Sequence, residues 1–144
     1  MSQGMQFGRA DGGCELFNGA ATTGETTIAA QTTQVAAASR LTSGVNRAIP
    51  VAGSTAVLLP LNQPLGVPVV VQNLAATAVT LLVFPAWNDV TNAASGGKIA
   101  SGAANASFSV AQNKSAMFYP LASSAGVATQ NGLAGTDWVA VLSA

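Results

Sequence analysis

Short apolar runs alternate along the chain with segments rich in Gly, Pro, Asn and Ser. The longest such run is VVVQNLAATAVTLLVFP, residues 69–85, and it contains no charge. Four polar residues interrupt it, whereas a membrane-spanning helix needs about 20 apolar residues in succession. Its valines favour extended backbone, and prolines punctuate its surroundings at intervals too short for an ordinary helix. The run therefore predicts two antiparallel strands, joined by a short connection at NLAATA and covered on both faces.

The same pattern of strand and turn continues from residue 49 to the end of the printed sequence. STAVLLP lies between Gly53 and Pro60, and the segments NASFSV and SAMFYPL alternate in side-chain character. In the last segment, DWVAVL, Trp138 and Ala140 are expected to share one face. Short strands at intervals of about ten residues predict an all-β sandwich or barrel. No repeat of fixed period indicates a solenoid or a propeller.

Residues 1–45 differ from the β-sandwich domain predicted for residues 46–144. They are rich in Gly, Ala, Thr and Gln, and carry only isolated large hydrophobic residues. Two interpretations stay open, an extended N-terminal arm that orders against a partner and the first strands of the same domain. In the arm interpretation, Phe7, Leu16 and Phe17 are the candidate anchors at a protein interface.

The scarcity of charge is the strongest compositional signal. Charged residues make up 7% of the chain, five basic and five acidic, so that the formal net charge is zero. A soluble domain ordinarily carries about 25% charged residues. A surface built from small polar residues loses few ionic hydration shells when a protein covers it. The composition therefore predicts a chain that works inside an assembly.

Several classes of function lack the residues that they need. The chain has no histidine, and its single cysteine is Cys14. Histidine-based nucleophilic catalysis is thereby excluded, and we expect no enzyme activity, cofactor or metal site. The cations are scattered, which argues against nucleic acid and against an anionic membrane surface as partners. The first 13 residues have no apolar core of the secretory type, so synthesis in a cytoplasm is expected.

Two aromatic side chains could supply the exposed platform that a different function needs, although burial at the edge of the sandwich is the favoured role for the first of them, Trp87. Trp87 follows Pro85 and precedes Asn88, in a position where an indole ring can anchor a protein contact or stack on a sugar. Tyr119 is the other candidate for such a platform. The alternative to an assembly protein is therefore a carbohydrate-binding or adhesive β-sandwich module, for example of a phage fibre or head surface.

The strand pattern also resembles that of a known family. VPVVVQNLAATAVTLLVFP, the long small-residue loop, GAANASFSVAQNKSAMFYPL and GTDWVAVLS together resemble the small capsid cement, or decoration, proteins of tailed double-stranded DNA bacteriophages. The likeness covers about residues 50–144 and is closest to the jelly-roll type. It is a likeness of strands and turns, without a catalytic motif to transfer.

The resemblance implies a jelly-roll-like β-sandwich and a structural role without catalysis. A protein of this kind binds the outer surface of the capsid and ties neighbouring capsomers of major capsid protein together. It is made in the bacterial host cytoplasm and ends in the virion. The resemblance further implies a homo-oligomer, with a dimer favoured and a trimer possible. Residues 1–45 lie outside the likeness.

Overall fold

The computed structural model describes residues 25–61, 63–121 and 136–144, which form strands, turns and bends. No helix that could cross a membrane occurs in these ranges. The strands in the same ranges are β1 (Glu25–Thr27), β2 (Ser39–Arg40), β3 (Gly44–Ile49), β4 (Ala56–Leu58), β5 (Val69–Asn73), β6 (Leu81–Phe84), β7 (Trp87–Asn88), β8 (Ala93–Ala94), β9 (Phe108–Val110), β10 (Ser115–Leu121) and β11 (Asp137–Leu142).

Two sheets form the body of the molecule. The five-stranded sheet has the order β1-β3-β5-β10-β11, the four-stranded sheet has the order β2-β4-β6-β9, and β7 pairs with β8 as a separate hairpin. From β1 to β6 the chain alternates between the two sheets, so that it winds around the core. Strands two apart in sequence consequently become parallel neighbours. The later strands pair antiparallel, β9 with β6, β10 with β5, and β11 with β10.

The hydrophobic core lies between the two sheets. Val69, Val71 and Phe118 point inward from the five-stranded sheet, and Leu81 and Val83 point inward from the four-stranded sheet. All five are fully buried. Phe108 and Phe118 meet edge to face, with ring centroids 5.5 Å apart, which joins β9 to β10 across the core. Burial of these side chains stabilises the fold by about 2 kcal/mol each.

The structure corrects the prediction of a hairpin in residues 69–85. Both predicted strands exist, as β5 and β6, but they lie in different sheets and do not pair with each other. Each strand buries alternate residues and leaves the residues between them partly exposed. A connection of seven residues, 74–80, carries the chain from one sheet to the other. Two side-chain hydrogen bonds hold this connection in place, because the Asn73 amide nitrogen donates to the Val79 carbonyl and the Asn73 side-chain oxygen accepts from the Ala75 amide.

The all-β class predicted from the sequence is confirmed. The predicted alternation in the later strands is also present, since Ala116 and Phe118 are buried and Tyr119 is exposed on β10. In β11, Trp138 is buried and Ala140 is partly buried on the same face. The two packed sheets agree with the expected jelly-roll-like sandwich. The pairings β1-β3-β5 and β2-β4-β6 are parallel, whereas a jelly roll is antiparallel, so the jelly-roll type itself is not confirmed.

The described part of the N-terminal 45 residues contributes strands to both sheets. β1 pairs with β3, and β2 pairs with β4. The expected boundary between residues 45 and 46 falls inside β3. Ile28, Ala38 and Leu41 are buried, so this stretch also contributes to the core. Residues 25–45 thus contribute strands and core side chains to the two sheets, and residues 1–24, with the candidate anchors Phe7, Leu16 and Phe17, lie outside the described ranges.

Candidate functional site

An apolar row crosses the solvent side of the five-stranded sheet. Cross-strand register aligns Val45 with Val70, Val70 with Met117, and Met117 with Val141. Residues that are directly opposite in a sheet project from the same face. The four side chains therefore form one continuous row over β3, β5, β10 and β11. Val45 and Val141 remain 36% and 55% exposed at the two ends of the row.

Further apolar side chains extend this row along β10 and β11. Tyr119 lies opposite Val139, and both are exposed, as is Leu121. We call the surface formed by the row and these three residues the outer face: Val45, Val70, Met117, Tyr119, Leu121, Val139 and Val141. Contiguous exposed apolar surface on a soluble chain generally marks an interaction site.

Polar groups bound the outer face on two sides. The next cross-strand row is Arg47, Gln72 and Ser115. At the other end, Asp137 lies opposite Leu121. An apolar centre with a polar rim is the usual anatomy of a protein–protein interface. The arrangement thus suits contact with another protein better than capture of a small ligand.

The solvent side of the four-stranded sheet is different, because the chain itself covers it. Ala38, Ala56 and Leu58 form a second buried cluster there, with Val35, Phe84 and Trp87 packed against it. Gln34 donates hydrogen bonds of 2.8 and 3.1 Å to the carbonyls of residues 85 and 86, which holds the covering segment in place. Of the two sheets, therefore, only the five-stranded one presents a broad apolar surface among the described residues.

Trp87 occupies part of this second cluster. The ring is partly buried, and its indole nitrogen Nε1 is buried without a hydrogen-bond partner among the described atoms. Trp87 is thus a packing residue of the β7–β8 hairpin that keeps partial exposure to solvent. Phe7, Leu16 and Phe17, the other predicted interface residues, lie outside the described residues. Trp87 is the one predicted interface residue whose position lies within the described ranges.

The outer face was missed in the sequence because its residues are spread over four strands. One signal was available. In DWVAVL, Val139 and Val141 alternate with Trp138 and Ala140, so that both faces of β11 carry apolar side chains. A strand whose second face is also apolar needs a second covering layer.

No group of three or more potential metal ligands occurs in the ranges that the structure describes. A pocket of about 70 Å³ lies between β2 and β3, near Leu41, Asn46 and Ala48. Sites for small ligands usually measure about 300–1,000 Å³. This pocket holds a few water molecules at most.

The two described acidic side chains with defined contacts have structural partners. Asp89 accepts hydrogen bonds of 2.7 and 2.9 Å from both terminal nitrogens of the Arg40 guanidinium. These bonds hold the pKa of Asp89 below its ordinary value. Asp137 accepts a hydrogen bond of 3.0 Å from the backbone amide of Lys98. Both carboxylates thus tie loops to the sheets.

No protein-family model, curated protein sequence or solved structure matches this chain.

Proposed function

We propose that this chain is a non-enzymatic structural protein of a bacteriophage particle. It binds the outer surface of the capsid and cements neighbouring capsomers of the major capsid protein. The outer face is the observation that carries the proposal, because it offers apolar surface across four strands with charge only at its rim.

The energetics of such a contact favour a chain of this composition. Covering the outer face removes exposed apolar side chains from water, a gain of about 25 cal/mol per Å². The central residues Val70 and Met117 carry no charge, so that no ion must be desolvated there. A rigid sheet also loses little side-chain entropy on binding, since its valines have few rotamers to lose. A cement protein needs this combination because it must hold under mechanical load and has no turnover to perform.

The test is binding to expanded, DNA-free heads of the phage that encodes the chain. Purified chain is mixed with heads, the heads are sedimented, and the bound fraction is measured over a range of concentrations. We expect saturable binding by the native chain. In the Val45→Lys variant, a charge enters the apolar row, and we expect the dissociation constant to rise about tenfold or more.

A matched control separates the outer face from a general effect of charge. Ser109 is exposed on β9 of the other sheet, and Ser109→Lys adds the same charge there. We expect this variant to bind heads as the native chain does. Equal loss in both variants, or absence of saturable binding by the native chain, would contradict the proposal.

The same proteins can be applied to a panel of immobilised glycans. The exposed aromatic side chain of Tyr119 on the outer face is the feature that would support the alternative, a carbohydrate-binding module. Saturable glycan binding that is lost in Tyr119→Ala, together with no binding to heads, would replace the cement proposal with this alternative.

A further inference from the structure

One edge of β11 carries backbone groups that no described residue uses. The backbone N–H and C=O groups of the odd-numbered residues of β11 point toward β10, as shown by the 2.8 Å bond from the Ser143 amide, just past β11, to the Ser115 carbonyl. The backbone groups of the even-numbered residues therefore point away from β10. Trp138 already has partners on that side, because its amide and carbonyl bond to Lys98 and Ala100 at 2.8 Å each. Backbone groups of Ala140 and Leu142 face the same side.

The amides and carbonyls of Ala140 and Leu142 have no hydrogen-bond partner on this edge among the described residues. They leave two donors and two acceptors in a row. With six residues, β11 is also the longest edge strand of the two described sheets, whose other edges, β1, β2 and β9, have two or three residues.

This edge lacks the features by which proteins normally protect edge strands. Residues 138–144, WVAVLSA, contain no charged side chain and no proline. Within β11 the exposed side chains are apolar, with Val141 55% and Leu142 47% exposed. Native edge strands are usually short, charged, bulged or covered, since an open apolar edge is a template for another strand. The edge of β11 is thus built for pairing.

We propose that a second copy of this chain pairs with β11 in an antiparallel manner, about a twofold axis that passes beside Val141. Ala140 of one copy then lies opposite Leu142 of the other, and the two residues exchange both backbone hydrogen bonds. Symmetry gives the pair twice, which satisfies all four free donors and acceptors. An antiparallel edge is self-complementary, so one strand can serve as both partners of a twofold dimer.

What already occupies the edge limits the register. A twofold axis at Ala140 would place Leu142 of one copy opposite Trp138 of the other, where residues 98–100 are hydrogen-bonded. With the axis at Val141, the hydrogen-bonded stretch of residues 140–142 lies beyond that contact, and only Ala144, past the end of β11, comes opposite Trp138. The two Val141 side chains then face each other as a non-hydrogen-bonded pair.

The dimer also explains why the apolar row runs to the edge of the sheet. The row Val45, Val70, Met117 and Val141 would continue through Val141 of the second copy, so that one apolar surface spans eight strands. Val141 would lose most of its exposure at the seam. This inference concerns self-association and is measured without heads, so that its failure is distinct from failure of capsid binding.

Cysteine cross-linking tests the register directly. In a full-length Cys14→Ser background, Val141→Cys places two thiols at the twofold axis, where α-carbons of a non-hydrogen-bonded pair are about 4.5 Å apart. That distance allows a disulfide. Val139→Cys is the control, because the two cysteines at position 139 would be offset by four residues along the paired strands and would lie about 14 Å apart. We expect mild oxidation to cross-link the first variant and to leave the second as non-covalent dimer.

Repulsion between two like charges tests the same axis without a covalent cross-link. Val141→Lys brings two ammonium groups face to face, and we expect the dimer dissociation constant from analytical ultracentrifugation to rise about tenfold or more. Val139→Lys adds the same charge on the same strand and should leave that constant nearly unchanged. Equal cross-linking of both cysteine variants, or equal weakening by both lysines, would overturn the proposed register.

Hydrogen exchange distinguishes a second copy from another segment of the same chain. If the second copy covers the edge, the amides of Ala140 and Leu142 become protected as concentration rises, in step with dimer formation. A native chain that stays monomeric at about 100 μM would overturn the proposal, because its dimer dissociation constant would then be weaker than specific interfaces normally show. Protection of these amides in that monomer would identify a segment of the same chain as the occupant.

Discussion

The side-chain amide of Asn73 donates a hydrogen bond of 2.8 Å to the backbone carbonyl of Val110, and the two residues belong to different sheets. The same amide nitrogen donates to the carbonyl of Val79 at 2.9 Å, while its oxygen accepts from the amide of Ala75. Asn73 is fully buried. One side chain thus joins the end of β5, the connection that follows it, and the end of β9.

Replacement of Asn73 by alanine should destabilise the protein strongly. The change leaves the buried Val110 carbonyl and Ala75 amide, and the part-buried Val79 carbonyl, without this partner. A buried group left unpaired costs about 1–3 kcal/mol. We expect the free energy of unfolding in urea to fall by about 3 kcal/mol or more. Gln72→Ala, which removes a neighbouring amide at the polar rim of the outer face, is the control and should change the free energy of unfolding by less than about 1 kcal/mol. Similar losses in both variants would contradict this role of Asn73.

The strands themselves were predictable because alternation is a local property. In β10 burial alternates with the step of two along the strand, and in β11 Trp138 and Ala140 share the more buried face, as the alternation predicted. The pairing of β5 with β6 was predicted wrongly because pairing depends on contacts that are distant in sequence. Asn73 looked like a turn residue of a hairpin, whereas its amide reaches Val110, 37 residues away.

The chain alternates between the two sheets from β1 to β6, but this structural regularity produces no repeat of constant period in the sequence. Glu25 pairs with Arg47 and Gly44 with Val69, which are offsets of 22 and 25 residues. In the other sheet, Ser39 pairs with Val57 and Ala56 with Leu82, offsets of 18 and 26 residues. Repeat signals in sequence require a constant period. Loops of unequal length remove that period although the strands stack in parallel.

Gly97 permits a close approach of two backbone segments. A β-carbon at this position would lie within 2.3 Å of the Thr136 carbonyl oxygen, closer than any side chain tolerates. The same loop bonds to Trp138 through Lys98. Gly97→Ala should therefore push residues 97–100 away from β11 and lower the free energy of unfolding by about 2 kcal/mol.

The control for Gly97 is a glycine whose surroundings are open. Gly66 has a φ of +80°, and a β-carbon at this position would have no neighbouring atom within 4 Å. Asparagine accepts this backbone conformation, so Gly66→Asn should change stability by less than about 1 kcal/mol. An unchanged urea midpoint in Gly97→Ala would show that the loop relaxes without loss of packing.

The contact between Arg40 and Asp89 should be visible in a titration. Hydrogen bonds from the Arg40 guanidinium are the main cause that lowers the pKa of Asp89. A carboxyl with a lowered folded pKa contributes stability above its unfolded pKa, about 3.9, and loses it as pH falls through the folded value. Arg40→Gln should raise the pKa of Asp89, measured by NMR of its carboxyl carbon. Because both side chains are exposed, the effect on stability should be small. An Asp89 pKa that is the same in both proteins would show that the pair does not persist in solution.

Trp87 has two competing roles that can be tested. It was predicted as an interface residue, and in the structure it packs against the second buried cluster. Its Nε1 atom is buried without a described partner, so Trp87→Phe removes no hydrogen bond made within the described residues. We expect this variant to keep its stability within about 1 kcal/mol, whereas Trp87→Ala should lose about 2–3 kcal/mol through lost packing. Head binding, measured on the folded Trp87→Phe protein, then separates the two roles. Weakened binding at unchanged stability would make the indole a contact with the shell, and unchanged binding would leave it a packing residue of the β7–β8 hairpin.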